Sequence, residues 1–147
     1  LVLKAVTKMY AMAGLRLGYM LCSDKDVLAS IYSAGQSWPV STPAQVAGLA
    51  AMQCIGWEQE TKKFVQNECD YMMRSMANIG LDVCASEANY IMFKCKQPLY
   101  DLLLKRGILI RSCHNYVGLG ENYYRIGLKR RKNNNILLAE LEEVLHG

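Results

Sequence analysis

Between Leu15 and Cys22 the chain is apolar at every position except Arg16 and Gly18. A run this short and this apolar suits a strand buried on both faces, the kind found in α/β proteins. Residues 1–7 give the end of an earlier strand. Ser23 and Asp24 then open a helix, with Ser23 as its cap, that runs through Val27, Leu28 and Ile31 toward Gly35. After the connector Trp38-Pro39-Val40, Ser41 or Thr42 caps a second helix with Pro43 in its first turn. Alanines at 44, 47, 50 and 51 let that helix pack closely before it ends near Gly56.

From Trp57 the pattern changes. Phe64, Val65, Tyr71, Met72, Met76 and Ile79 recur at near-helical spacing, which predicts one long helix to about Ile79 with Gly80 as its stop. Its methionine and aromatic stripe is a core face rather than a binding surface. Beyond it the sequence predicts strands at 81–84, 89–95, 108–111 and 123–128, with a helix over 98–106. A loop holds Gly118 and Gly120, and a final helix runs from about Asn133 to His146, capped by one of Asn133, Asn134 or Asn135. Strands broken by helices in this way make a small α+β unit. The expected fold class is therefore α/β with an α+β second part, divided into 1–56 and 57–147.

Composition narrows the function. A chain of 147 residues, 52% apolar and 20% charged, is globular and long enough for a core. The net charge of +4 is mild, and its only dense run is Lys129-Arg130-Arg131-Lys132. A nucleic-acid surface needs a wider basic stripe interleaved with aromatics, so this run is read as a solvated turn and no nucleic-acid partner is expected. The cysteines at 22, 54, 69, 84, 95 and 113 form no CxxC pair, and His114 and His146 do not complete a zinc spacing, so no metal is expected. Reduced cysteines in an aliphatic-rich chain suit the cytoplasm. No apolar run is long enough to span a membrane. Leu1-Val2-Leu3 is too short for a signal sequence. A chain that opens mid-strand without methionine is expected to be a portion of a longer one.

The chemistry is concentrated in Ala5–Tyr19. Lys8 stands eight residues before Arg16, with small and apolar residues between them. An amine bonds an aldehyde, and a guanidinium fork binds a phosphate. Lys8 lies between two apolar strand segments, where desolvation favours the neutral amine. Thr7 adds a hydroxyl beside it, and Gly14 and Gly18 permit close backbone approach.

The run Thr7-Lys8 with Gly14-Leu15-Arg16-Leu17-Gly18-Tyr19 resembles the pyridoxal-phosphate lysine motif of the class I/II aminotransferases. Within them it is most similar to the histidinol-phosphate aminotransferase and threonine-phosphate decarboxylase groups. The resemblance implies the C-terminal portion of the fold type I transferase fold: the end of a large-domain sheet plus the small domain. It implies that Lys8 bonds the cofactor, that Thr7 and Arg16 hold its phosphate, and that the cofactor is pyridoxal 5'-phosphate. Ala5 stands where members usually carry serine or threonine. One phosphate hydrogen bond is thereby missing, worth ~1–2 kcal/mol.

The resemblance extends to the end of the chain. Arg106-Gly107-Ile108-Leu109-Ile110-Arg111 and Tyr123-Tyr124-Arg125-Ile126-Gly127 match the family's two small-domain arginines. By that match Arg125 binds the substrate α-carboxylate and Arg111 a distal phosphate, both suited to bidentate pairing. Asn115 and Tyr116 shape the pocket, His114 is a solvated loop histidine or lies at the substrate's periphery, and Tyr10 and Tyr19 serve packing. Trp38-Pro39-Val40 and Ile110–Tyr116 look like the decarboxylase, and Ser41-Thr42-Pro43 like the aminotransferase.

The family chain is well over twice this length, and its earlier portion supplies the groups around the cofactor ring. The implied enzyme is an aminotransferase acting on a phosphorylated amino acid or amine, with a threonine-phosphate decarboxylase as the alternative. By the resemblance this chain alone is inactive or nearly so, and the apolar surface that residues 1–56 would expose predicts a homodimer or a strand-swapped oligomer. A rival class remains: a non-catalytic small domain that serves assembly.

Overall fold

The computed structural model describes residues 1–147. The chain divides into two compact units, Leu1–Thr61 and Lys62–Gly147. The division lies inside a helix rather than at residue 57, because that helix's first turn is bonded to the first unit. Trp57 Nε1 donates to the Met9 carbonyl at 2.8 Å, and the Tyr10 hydroxyl donates to Glu58 at 3.2 Å.

In the first unit β1 (Val2–Ala5) and β2 (Gly18–Leu21) form an antiparallel pair, with Val2 opposite Leu21 and Ala5 opposite Gly18. The connection between them folds into a one-turn helix α1 (Val6–Met9) and a 3-10 turn (Ala13–Leu15). The expected long strand from Leu15 is thus cut short: Leu15 ends the 3-10 turn, and Arg16 takes a left-handed conformation with φ 52°. The expected burial on both faces is also absent, with Tyr19 and Leu21 exposed. A two-stranded ribbon has no third layer of its own, so apolar composition alone did not bury it.

Gly18 is the tight point of this pair, since a Cβ there would stand 2.8 Å from the Lys4 carbonyl oxygen. Backbone cannot yield as a side-chain tip can. Gly18→Ala is expected to destabilise the pair by about 1–3 kcal/mol. The check is hydrogen exchange, which should speed up at the Val6 amide, now bonded to the Leu17 carbonyl at 3.2 Å.

Helix α2 (Lys25–Ala34) is capped by Asp24 rather than Ser23: the Asp24 carboxylate accepts from the amides of Asp26 and Val27 at 2.9 and 3.1 Å. The carboxylate also suits the positive helix N-terminus, an advantage that a serine hydroxyl lacks. Helix α3 (Thr42–Met52) is capped by Ser41, whose hydroxyl accepts from the Ala44 amide. Its buried side holds Ala44, Gly48 and Ala51, and a Cβ on Gly48 would run into the Leu17 side chain. Close approach by small residues therefore lays α3 against the β1–β2 connection.

Helix α4 (Trp57–Asn78) leads into the second unit. It ends in a glycine cap: Gly80 has φ 87°, and the Leu81 amide reaches back to the Met76 carbonyl at 3.1 Å. The elements that follow are β3 (Asp82–Val83), β4 (Tyr90–Lys94), α5 (Leu99–Lys105), β5 (Arg111–Ser112), β6 (Tyr123–Gly127) and α6 (Arg131–His146). The strands form one antiparallel sheet in the order β3-β4-β6-β5. The expected strand over 108–111 shifts to Arg111–Ser112, because Ile108 turns its amide back to the Leu103 carbonyl instead of a neighbouring strand.

The final helix starts at Arg131, ahead of the three asparagines. Asn134 is buried in its first turn and binds both backbone groups of Lys129. One face of the sheet carries Ile91, Phe93, Tyr124 and Ile126 into a core with Met72, Met76, Leu99, Leu103 and Leu141. The methionine stripe of α4 is thus core. Strand alternation sends Tyr90, Met92, Lys94, Tyr123 and Arg125 to the other face.

Candidate functional site

The lysine segment of the first unit lies between the two paired strands. Val6, buried at the start of α1, is the last residue of the ladder, bonded to Leu17. Thr7 and Arg16 therefore leave the ladder from facing positions, and Lys8 follows one residue on. The Lys8 amine is exposed and has no hydrogen-bond or ion-pair partner. The expected desolvation between apolar strands is not found, because Lys8 sits on the exposed side of a one-turn helix rather than in a covered strand.

Arg16 is also exposed, and its guanidinium donates only to the Ala13 carbonyl at 3.4 Å. Most of its donor fork is open. Ala11 and Arg16 are the only non-glycine residues of the chain with positive φ, 53° and 52°. Both lie in this connection. Such backbone is disfavoured for residues with a Cβ and tends to concentrate where a site needs a particular shape.

Two residues not picked out from the sequence fix the far end of α1. Trp57 holds the Met9 carbonyl and Glu58 holds the Tyr10 hydroxyl. Burial first, then the bond to Glu58, pushes the Tyr10 phenol above its ordinary value. Tyr10 is thus a strut, as its packing role predicts.

The second unit presents the arginines. In the β5–β6 ladder Arg111 stands directly opposite Arg125, and in the β4–β6 ladder Met92 stands opposite Arg125. Directly opposed residues share a face, so both guanidiniums lie on the open side of the sheet. Like charges set opposite one another are destabilising unless something compensates. Neither arginine takes part in an ion pair. Arg111 instead donates from Nη2 to Asn115 Oδ1 at 3.1 Å, and its guanidinium carbon lies 5.7 Å from the centre of the Tyr116 ring. Arg125 is half-buried, with its guanidinium carbon 5.0 Å from the centre of the Tyr90 ring.

A cleft of about 560 Å³ opens here, lined by Tyr90, Met92, Tyr116, Leu119 and Arg125, with Glu87 as its one carboxylate. The Asn115 side-chain oxygen is committed to Arg111. His114 is exposed, with Nδ1 3.0 Å from Ser112 Oγ, a local bond within the loop. At the other end of the face the Lys94 ammonium stands 4.8 Å from the centre of the Tyr123 ring; the Tyr123 hydroxyl raises its pKa. No group of acidic, cysteine or histidine side chains is arranged to hold a metal ion.

Comparison with known proteins finds relatives across almost the whole chain. The family model described as aminotransferase class I and II matches residues 1–141. A threonine-phosphate decarboxylase from Salmonella typhimurium is 38% identical over 99% of the chain and 41% of its own length. A histidinol-phosphate aminotransferase from Archaeoglobus fulgidus is 30% identical over 97% of the chain and 44% of its own. The crystal structure of histidinol-phosphate aminotransferase from Clostridium acetobutylicum superposes with a TM-score of 0.91 at 28% identity, covering 97% of the chain and 45% of that structure. The chain thus spans about two fifths of the length of these curated relatives.

Proposed function

The chain belongs to the class I and II aminotransferase family, and from that premise we propose that it carries the cofactor lysine and substrate-binding arginines of a pyridoxal-phosphate enzyme. Its substrate is a phosphorylated amino acid or amine, and the reaction is transfer of the amino group. The observation that carries this is the opposed pair Arg111 and Arg125: two guanidiniums on one open face, neither in an ion pair. Such a pair is a receptor for a ligand with two anionic groups, and it relieves its own repulsion by binding one.

The lysine segment fits the cofactor. A primary amine with no partner, a hydroxyl and an open guanidinium fork are the donors an aldehyde and a phosphate require. When bound, pyridoxal phosphate supplies a conjugated ring that accepts the electron pair of a bond broken at the substrate Cα. Lys8 would be the residue that bonds the cofactor aldehyde and moves the Cα proton. Thr7 and Arg16 would hold the cofactor phosphate. Arg125 would bind the α-carboxylate of an amino-acid substrate, or that of the 2-oxo-acid acceptor where the amine has none, and Arg111, steadied by Asn115, would hold the distal phosphate. The orientation imposed by these two grips decides whether the C–H or the C–carboxylate bond is broken.

A second reading, decarboxylation of threonine phosphate, is favoured by the 38% identity to the decarboxylase relative. The two are separated by one assay. On the polypeptide as the cell makes it, histidinol phosphate with 2-oxoglutarate is expected to yield glutamate. Carbon dioxide release from threonine phosphate without amino transfer would reject the first reading in favour of the second.

We read the protein further as a cytoplasmic homodimer. All six cysteines are free, and no helix is long and apolar enough to cross a membrane. Val46, Leu49, Met52 and Ile55 are exposed on the first unit, an apolar surface suited to a partner subunit.

A further inference from the structure

The two arginines of the open face are oriented by different means. Arg111 has a hydrogen-bonding neighbour in Asn115. Arg125 forms no ion pair, and the aromatic face of Tyr90 is its only partner. We propose that Tyr90 is the positioning residue of Arg125, holding its guanidinium away from Arg111 and aimed into the cleft. The proposal rests on the assignment of Arg125 as an anion binder.

Register explains the contact. Tyr90 stands opposite Gly127, two positions from the pair Met92–Arg125, so it is the diagonal neighbour of Arg125 on the same face. A Cβ built on Gly127 would meet no atom within 4 Å, so the Tyr90 ring does not rest above its directly opposed residue. It leans along the diagonal instead, to 5.0 Å from the guanidinium carbon.

The base of the ring is held in turn. Ser86 Oγ donates to the Tyr90 carbonyl at 2.6 Å and accepts from the Ala88 amide at 3.2 Å. The Ser86 carbonyl accepts from the buried Cys69 thiol of α4 at 3.3 Å. On the other side the Leu128 amide donates to the Asn89 carbonyl at 2.9 Å. A fixed backbone and a ring with two rotatable angles make a rigid shelf for the guanidinium. The shelf is electrostatic, because the negative ring face attracts the cation, and its strength depends on the ring's electrons rather than on its hydroxyl.

The test is the affinity for threonine phosphate, measured by titration calorimetry on the polypeptide as the cell makes it. Tyr90→Phe is expected to bind like the parent, and Tyr90→Ile, which keeps strand propensity, roughly fivefold more weakly. In steady-state assays the loss should fall on KM, with kcat held within about twofold. Fluorinated phenylalanines at position 90 keep the ring's shape while emptying its face, so binding should weaken stepwise with each added fluorine. That series addresses the proposal even if Tyr90→Ile does not fold. A flat response to fluorination, with Arg125→Met abolishing binding, would overturn the role of Tyr90 and leave that of Arg125 standing. Binding unchanged in Arg125→Met would overturn the anion-site assignment itself, and the proposal with it.

Discussion

In the polypeptide as the cell makes it, Lys8→Ala is expected to abolish the absorption band of lysine-linked pyridoxal phosphate and to lower turnover by roughly 10³-fold. The amine has no hydrogen-bonding or ionic partner within the chain, so its removal breaks no bond of the fold. Lys8→Arg separates chemistry from charge: a guanidinium keeps the cation but neither bonds the aldehyde nor carries the proton. The two variants should be equally inactive while melting at the parent's temperature. Retention of the band in Lys8→Ala would remove this lysine from the site. Loss of the band together with a lowered melting temperature would instead show a structural lysine. Exposure on α1 makes that second outcome unexpected.

Much of the second unit was legible because its patterns are long and periodic. The stripe from Phe64 to Ile79 repeats over several turns, and its buried members, Met72 and Met76, are where such a face places them. Strands β4 and β6 alternate buried and exposed residues and were found within a residue or two of their ends. Where two chemically suitable residues adjoin, the pattern does not choose. Ser23 and Asp24 both cap helices, and the carboxylate won.

The residue types of the lysine segment stand out in the sequence, but its shape does not. No glycine marks Ala11 or Arg16 as left-handed, so the turns they make leave no trace in composition. The desolvation expected for Lys8 rested on neighbouring hydropathy, whereas burial needs a covering layer and the β1–β2 ribbon supplies none. Trp57 and Glu58 were missed because they reach the lysine helix from far along the chain.

The arginine pair shows the same limit. Both residues stand out by their motifs, but their direct opposition depends on the register of β5 against β6, set across a loop that residue types alone do not place. Tyr90 escapes a sequence reading for the same reason: its contact runs along the diagonal of the β4–β6 ladder, which exists only once the strands have paired.

The second large effect is structural and centres on Glu68. This α4 carboxylate is 6% exposed and faces the first turn of α6. Arg131 Nε donates to both of its oxygens at 3.1 Å, Arg131 Nη2 lies 2.9 Å from Oε1, and Asn134 Nδ2 donates to Oε2 at 2.7 Å. Asn134 also accepts from the Lys129 amide at 3.0 Å, so the carboxylate indirectly fixes the segment that follows Arg125 and β6. Removing the carboxylate leaves a buried amide short of a partner and a guanidinium beside Tyr71 without its counter-ion. Glu68→Ala should therefore lower stability by about 2–3 kcal/mol, read as a fall in the urea midpoint at unchanged slope.

Acid provides the control. The hydrogen bond from Arg131, more than that from Asn134, holds the Glu68 carboxyl below its ordinary value of 4.5 despite the opposing effect of burial. A group whose pKa is depressed on folding stabilises fully above its unfolded value and loses that contribution as pH falls through its folded one. The parent should thus exceed Glu68→Gln in stability at neutral pH, and the gap should close only below about pH 4.5. A gap that persists unchanged into strong acid would mean that the side chain's shape, not its charge, ties α4 to α6.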